Sequence, residues 1–173
     1  FLYCKKGFEL PPLLYGGAQE NGLRAGTENM PGIVALGEAA KFCAGRLPWE
    51  AAAVKPLRNL MIEQLKMIPG SHLMGDPQRR LPGNVHFCFE GIDGRSLALL
   101  LQQEGICVSA GAAGSSSQSE ASHVLSAMHV QKDCLQGALR ISLGTELNRQ
   151  DIMYAARRIS ENVERLRHMD QNI

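Results

Sequence analysis

Between residues 16 and 29 the chain reads Gly16-Gly17-Ala18-Gln19-Glu20-Asn21-Gly22-Leu23-Arg24-Ala25-Gly26-Thr27-Glu28-Asn29, with neither helical period nor strand alternation. This stretch must be a loop, so the first long regular element begins after it. Its glycines permit positive φ and a close approach of backbone to a ligand. Exposed N–H groups, the Thr27 hydroxyl and the Arg24 guanidinium suit an anion such as phosphate. The residues alone therefore describe a glycine-rich anion loop, or a loop whose polar groups satisfy one another.

Downstream, helical and strand patterns alternate. Pro31 sits where a helix tolerates proline, and Ile33, Leu36, Gly37, Ala40, Phe42 and Cys43 give that helix an apolar face. A second helical stretch runs from about Trp49 to Met67, with Leu57, Leu60, Met61, Leu65 and Ile68 in phase; Pro56 predicts a kink there or two shorter helices. After the stop at Pro69-Gly70, His72–Met74 reads as a short edge strand and Val85–Phe89 as a strand of β-formers. Gly94–Gln103 reads as a helix burying Leu97, Leu100 and Leu101. Ile106-Cys107-Val108 reads as a buried strand in which Cys107 packs as a small hydrophobe. A glycine–serine segment follows, its composition that of a flexible linker. Then come a short helix over Glu120–Met128 and a strand over Leu139–Leu143. Asn148 and Asp151 form an N-cap signature for a last helix, whose apolar face is Ile152, Ala155, Ala156, Ile159, Val163 and Leu166. Arg157/Glu161 and Glu161/Arg165 support its other face.

At 173 residues, 45% hydrophobic, 20% charged and net charge +1, the chain has the composition of an ordinary soluble protein. The charge balance gives no reason to expect nucleic acid, and no apolar run is long enough to span a bilayer. Cys4, Cys43, Cys88, Cys107 and Cys134 are scattered, with no CxxC pair, which favours free thiols in a reducing compartment. His72, His86, His129 and His168 lack metal-ligand spacing, and no metal site is expected. His123 reads as a structural residue at a helix start. Arg79 and Arg80 read as exposed charge on a connecting loop.

The loop string GGxQExGxRxGTEN resembles that of cysteine desulfurases, pyridoxal-phosphate (PLP) enzymes of the class V aminotransferase family. Phe1-Leu2-Tyr3-Cys4-Lys5-Lys6-Gly7 resembles the strand after their PLP-bearing lysine. Arg80-Leu81-Pro82-Gly83-Asn84-Val85 resembles their entry into the small domain. Gly105 to Leu125 resembles their strand, catalytic loop and helix, and Leu139-Arg140-Ile141-Ser142-Leu143-Gly144 the strand whose Arg grips the substrate carboxylate. The implied fold is α/β with an α+β small domain: the C-terminal part of a fold type I PLP-dependent transferase, helices packed on one face of a small sheet. Residues 1–75 would be a remnant of the PLP-binding large domain with linking helices, and 76–173 the small C-terminal domain.

The resemblance implies roles residue by residue. Thr27, with Arg24 and Gly26, would hold the cofactor phosphate, reaching into the partner subunit; Arg140, with Asn84, would bind the substrate carboxylate. Where the family usually follows the strand's glycine with an Arg, this chain has Thr145. The persulfide-forming cysteine falls at Gly114, which has no side chain. The PLP-bearing lysine, and the His, Asp and Gln around the cofactor, fall upstream of Phe1 by the same alignment, and Lys5 and Lys6 do not replace that lysine. The implied protein is the C-terminal portion of a cysteine desulfurase-like enzyme, which converts L-cysteine to L-alanine and passes sulfur on for iron–sulfur or thio-cofactor assembly. The chain alone is expected to be inactive and to hold no PLP covalently. Expected partners are a second copy or a complementing upstream half, and a sulfur acceptor or scaffold protein, in the cytoplasm. The alternative is a non-enzymatic module binding a sulfur acceptor or a desulfurase.

Overall fold

The computed structural model describes residues 1–110 and 122–170, and the chain divides into two compact units, Phe1–Arg46 and Leu47–Ile173. The first unit holds a 3-10 turn at Gln19–Gly22, with Glu20 and Asn21 in the left-handed region. It has no buried residue: the expected apolar face of its helical part, including Ile33, Leu36 and Phe42, is exposed.

Helix α1 spans Met30–Leu65 as one helix and runs through both Pro48 and Pro56. Of the two expectations at Pro56, a kink or a division into two helices, the division is absent. Both prolines, and Ala44 and Ala52 whose carbonyls they leave without an intrahelical donor, are exposed, which leaves those carbonyls open to water. The C-terminal part of α1 buries Leu60, Met61, Ile62 and Leu65.

The second unit is built on a four-stranded antiparallel sheet in the order β1-β2-β4-β3, with β1 at Ser71–Leu73, β2 at Asn84–Phe89, β3 at Ser109–Ala110 and β4 at Ala138–Ser142. Alternation along β2 and β4 sends Val85, Phe87, Phe89, Leu139 and Ile141 to one face. There they meet α1, α2 (Gly94–Gln103) and α5 (Arg149–Asp170) through Leu65, Leu97, Leu101, Ile152 and Ile159. This is the expected mixed fold, with its main helices on one face of a small sheet. The opposite face carries Cys88 and Ala138, covered by α3 (His123–Ala127) and α4 (Lys132–Leu135) through Leu125 and Cys134.

Local chemistry fixes the element ends. Asn148 Oδ1 accepts from Gln150 N at 2.7 Å and from Asp151 N at 3.2 Å, while Asp151 Oδ2 accepts from Asn148 N at 2.8 Å. This reciprocal cap is the one the sequence predicts for α5. At α2 the cap is Asp93, whose Oδ2 accepts from Ser96 N at 2.9 Å. Between β1 and β2 the connection is pinned by arginines. Arg80 donates to the carbonyls of Met74 at 2.6 Å and Asp76 at 2.8 Å, and buried Arg58 donates to the carbonyl of Leu81 at 3.3 Å. Arg79 is the exposed one, paired with Asp76, whereas Arg80 is a staple of the loop.

Candidate functional site

The antiparallel register sets a row of polar side chains across the second face of the sheet: Ser109 on β3 opposes Arg140 on β4, which opposes His86 on β2. Arg140 Nη2 lies 3.4 Å from Ser109 Oγ, a contact loose enough to leave most of the guanidinium's donors for a ligand. Asn84, two residues before His86, shares that face, and α3 brings His123 and Leu125 over it. Together they line a cleft of about 530 Å³. His86 is half-buried. Burial first, then the charges of Arg140 and Arg80, hold its imidazole below the usual 6.5. This favours the neutral imidazole and leaves the guanidinium as the fixed positive charge of the row. A planar carboxylate suits that fork, which can donate two parallel N–H bonds to it. Arg140 and Asn84, each legible in its sequence motif, are brought together by the fold. His86 carries no sequence signal for a role and His123 reads as structural, because only the strand register and the position of α3 place both in the cleft.

The anion loop lies in the first unit, with Arg24, Gly26 and Thr27 exposed. Gly26 has φ +101°, which a side chain would strain, and its N–H donates to Gln19 Oε1 at 3.2 Å. Arg24 Nη1 donates to the carbonyl of Ala25 at 3.0 Å. Two of the loop's donors are thus paired inside it, and the Thr27 hydroxyl stands at the surface.

All five cysteines are free thiols. Cys107 departs from its expected burial: it is exposed, and β3 begins only at Ser109. Gly105, at φ +79°, turns the chain straight out of α2, and Ile106 and Val108 pack inward, so the residue between them faces out. Its thiol edges a recess beside Arg95 and Gln102. Cys88 is buried, and burial, with the Cys134 thiol beside it, pushes its pKa up to about 12. Burial, then the Glu90 carboxylate, also raises Cys134. Neither thiol is an activated nucleophile. Gly114, with the serines around it, lies outside the described residues.

Residues 1–154 match the family model of the class-V aminotransferases. The chain belongs to that family. It is 45% identical over 168 residues to a cysteine desulfurase IscS of Methanosarcina thermophila, covering 97% of this chain and 42% of that protein. It is 39% identical over 167 residues to the IscS of Dictyoglomus turgidum, covering 96% and 42%. Among solved structures it resembles a NifS-like protein with a TM-score of 0.80 at 34% identity, covering 95% of this chain and 42% of that one. The NifS-like protein from Rickettsia africae follows at TM-score 0.77 and 26% identity, covering 89% and 40%. The chain thus spans about 42% of the length of the curated relatives it matches.

The donors of the first unit suit the phosphate end of PLP, the cofactor the family resemblance implies. Thr27 offers a surface hydroxyl, and Arg24 a guanidinium held by a single intraloop bond that an anion can displace. Lys5, on irregular backbone, and Lys6, in the turn that follows, are both exposed.

Proposed function

We propose that this chain is the C-terminal portion of a cysteine desulfurase-like enzyme of fold type I, with Arg140 and Asn84 holding the carboxylate of L-cysteine. The observation that carries the reading is the row Ser109–Arg140–His86 beside Asn84: one cation among neutral polar groups, in a cleft of amino-acid size. Thr27, Arg24 and Gly26 would hold the phosphate of PLP, which supplies the electron sink when bound. Position 114 is the place of the persulfide cysteine. Residues 1–75 descend from the large domain and 76–173 form the small one. That division is one of descent, since β1 is hydrogen-bonded into the sheet on the far side of it.

The exposed aromatic and aliphatic side chains of the first unit support a partner there: a second copy, as in a homodimer, or an upstream half. Among the described residues no helix is long and apolar enough to cross a membrane. By family we place the protein in the cytoplasm, passing sulfur to an acceptor or scaffold for iron–sulfur or thio-cofactor assembly.

The test separates binding from turnover. With the upstream half supplied and a cysteine at position 114, Arg140→Ala should raise the KM for L-cysteine by roughly tenfold to a hundredfold, the scale of losing charge-assisted hydrogen bonds. It should change kcat far less. An unchanged KM would remove Arg140 from the substrate site.

A further inference from the structure

The second face of the sheet carries another cluster, which the carboxylate cleft does not use. His72 on β1 lies directly opposite Cys88 on β2, so both point to this face. Glu90 follows β2, and Cys134 comes down from α4. His72 Nε2 is 2.6 Å from Glu90 Oε1, and Cys134 Sγ is 3.9 Å from the same oxygen. Among the described residues these three offer one nitrogen, one oxygen and one sulfur atom, all within 4.8 Å of one another. We propose that His72, Glu90 and Cys134 form a binding site for a thiophilic divalent cation of the zinc type.

The donor set is the first argument. Imidazole nitrogen, carboxylate oxygen and thiolate sulfur are the groups that bind zinc, and one of each leaves a fourth position for water. Geometry is the second. Ligand bonds of about 2.0–2.3 Å in a tetrahedron hold ligand atoms roughly 3.3–3.8 Å apart. The Cys134–Glu90 separation already lies close to that range, and the His72–Glu90 pair must open by about 1 Å. Both of those side chains are about half exposed, at 47% and 49%, so they can rotate apart, while Cys134 is an anchored, buried donor. The main chain of Glu90 is fixed independently, its N–H donating to the Gly70 carbonyl at 2.9 Å and its carbonyl accepting from Arg167 Nε at 2.9 Å.

Charge is the third argument. A divalent ion displaces the Cys134 proton to solvent and meets one thiolate, one carboxylate and one neutral imidazole, giving a neutral site. Arg167 beside Glu90 opposes a cation, and Asp133 next to Cys134 offsets it. The ligands lie 18 and 44 residues apart in sequence, so no spacing motif announces them. Bound there, the ion would tie α4 to the β1 edge.

Cobalt(II) titration of the reduced 173-residue chain tests this, because tetrahedral thiolate ligation gives sulfur-to-cobalt charge-transfer absorption. One equivalent should bind with that band, and zinc should abolish it. The band should vanish in Cys134→Ser and persist in a triple variant, Cys4→Ser, Cys43→Ser and Cys107→Ser, which removes the exposed thiols. His72→Ala and Glu90→Gln should each weaken cobalt binding by about tenfold or more. His72 is an exposed edge position, so its variant stays informative if Cys134→Ser fails to fold. A band that survives in Cys134→Ser, that disappears from the triple variant, or that keeps its affinity in His72→Ala would overturn the site.

Discussion

A methyl group on Gly83 would stand 2.3 Å from the carbonyl oxygen of Leu143, and that oxygen belongs to a backbone that cannot swing aside. Leu143 N also donates to the Gly83 carbonyl at 2.8 Å, so the two segments are held in register where the chain enters β2. Gly83→Ala should therefore cost about 1–3 kcal/mol of unfolding free energy, the range for forced overpacking. Urea denaturation checks this, and an unchanged midpoint would mean the segments separate freely. In the sequence, this glycine is legible only as part of Leu81-Pro82-Gly83-Asn84. Arg140 is legible in the same way, as one residue of a motif. Its neighbour His86 is not, because its partner is fixed by pairing between strands more than fifty residues apart. Arg58 escapes notice for a related reason: a helical pattern shows it between apolar residues, while the carbonyls that receive its guanidinium lie beyond β1.

Elements that carry their own signal were readable. β2 forms where the β-formers stand, and α5 buries the residues its period selects and is capped by the pair that the sequence names. The unbroken span of α1 is not legible, because an interior proline signals a break by its lost donor and its ring clash, while a helix can still continue where the freed carbonyl is open to water. The joint between α2 and α5 was also invisible. Glu104, at the end of α2, accepts from Arg158 Nε at 2.6 Å and pairs again with Nη2 of the same residue, and buried Asn162 donates to it at 3.2 Å. The Arg158 hydrogen bond leads in holding the Glu104 carboxyl below its usual 4.5. A carboxylate depressed on folding adds stability that is present above its unfolded pKa and lost as pH falls through the folded one. The chain should accordingly lose stability below about pH 4.5, and Glu104→Gln should flatten that part of the curve while lowering stability at pH 7. Denaturant midpoints between pH 7 and 3 measure both; parallel curves would show that the pair contributes nothing to the acid limb.

At the scale of the whole molecule, the two units differ in what they bury. Leu47–Ile173 encloses both apolar clusters, whereas Phe1–Arg46 buries no residue. On the proposed reading, a chain spanning about 42% of its relatives' length carries Arg140 as the substrate-side cation and Thr27 on the phosphate loop, with Gly114 at the sulfur position. For residues 1–173 expressed by themselves, turnover should then require two additions, a cysteine at position 114 and the lysine-bearing half. Gly114→Cys alone supplies a thiol without the lysine-bearing half, so L-cysteine should yield no alanine or sulfide above a PLP-only control. The upstream half alone, with Gly114 retained, should let Arg140 hold L-cysteine while its sulfur has no acceptor thiol at position 114. Both together should place one extra sulfur on residue 114, read as a mass increase in the intact protein that a thiol reductant removes. The single repairs serve as internal controls, since a thiol oxidised nonspecifically would gain mass in the first of them as well. If the doubly repaired protein binds PLP and L-cysteine and residue 114 never gains sulfur, the desulfurase reading fails, and the non-enzymatic binding module takes its place.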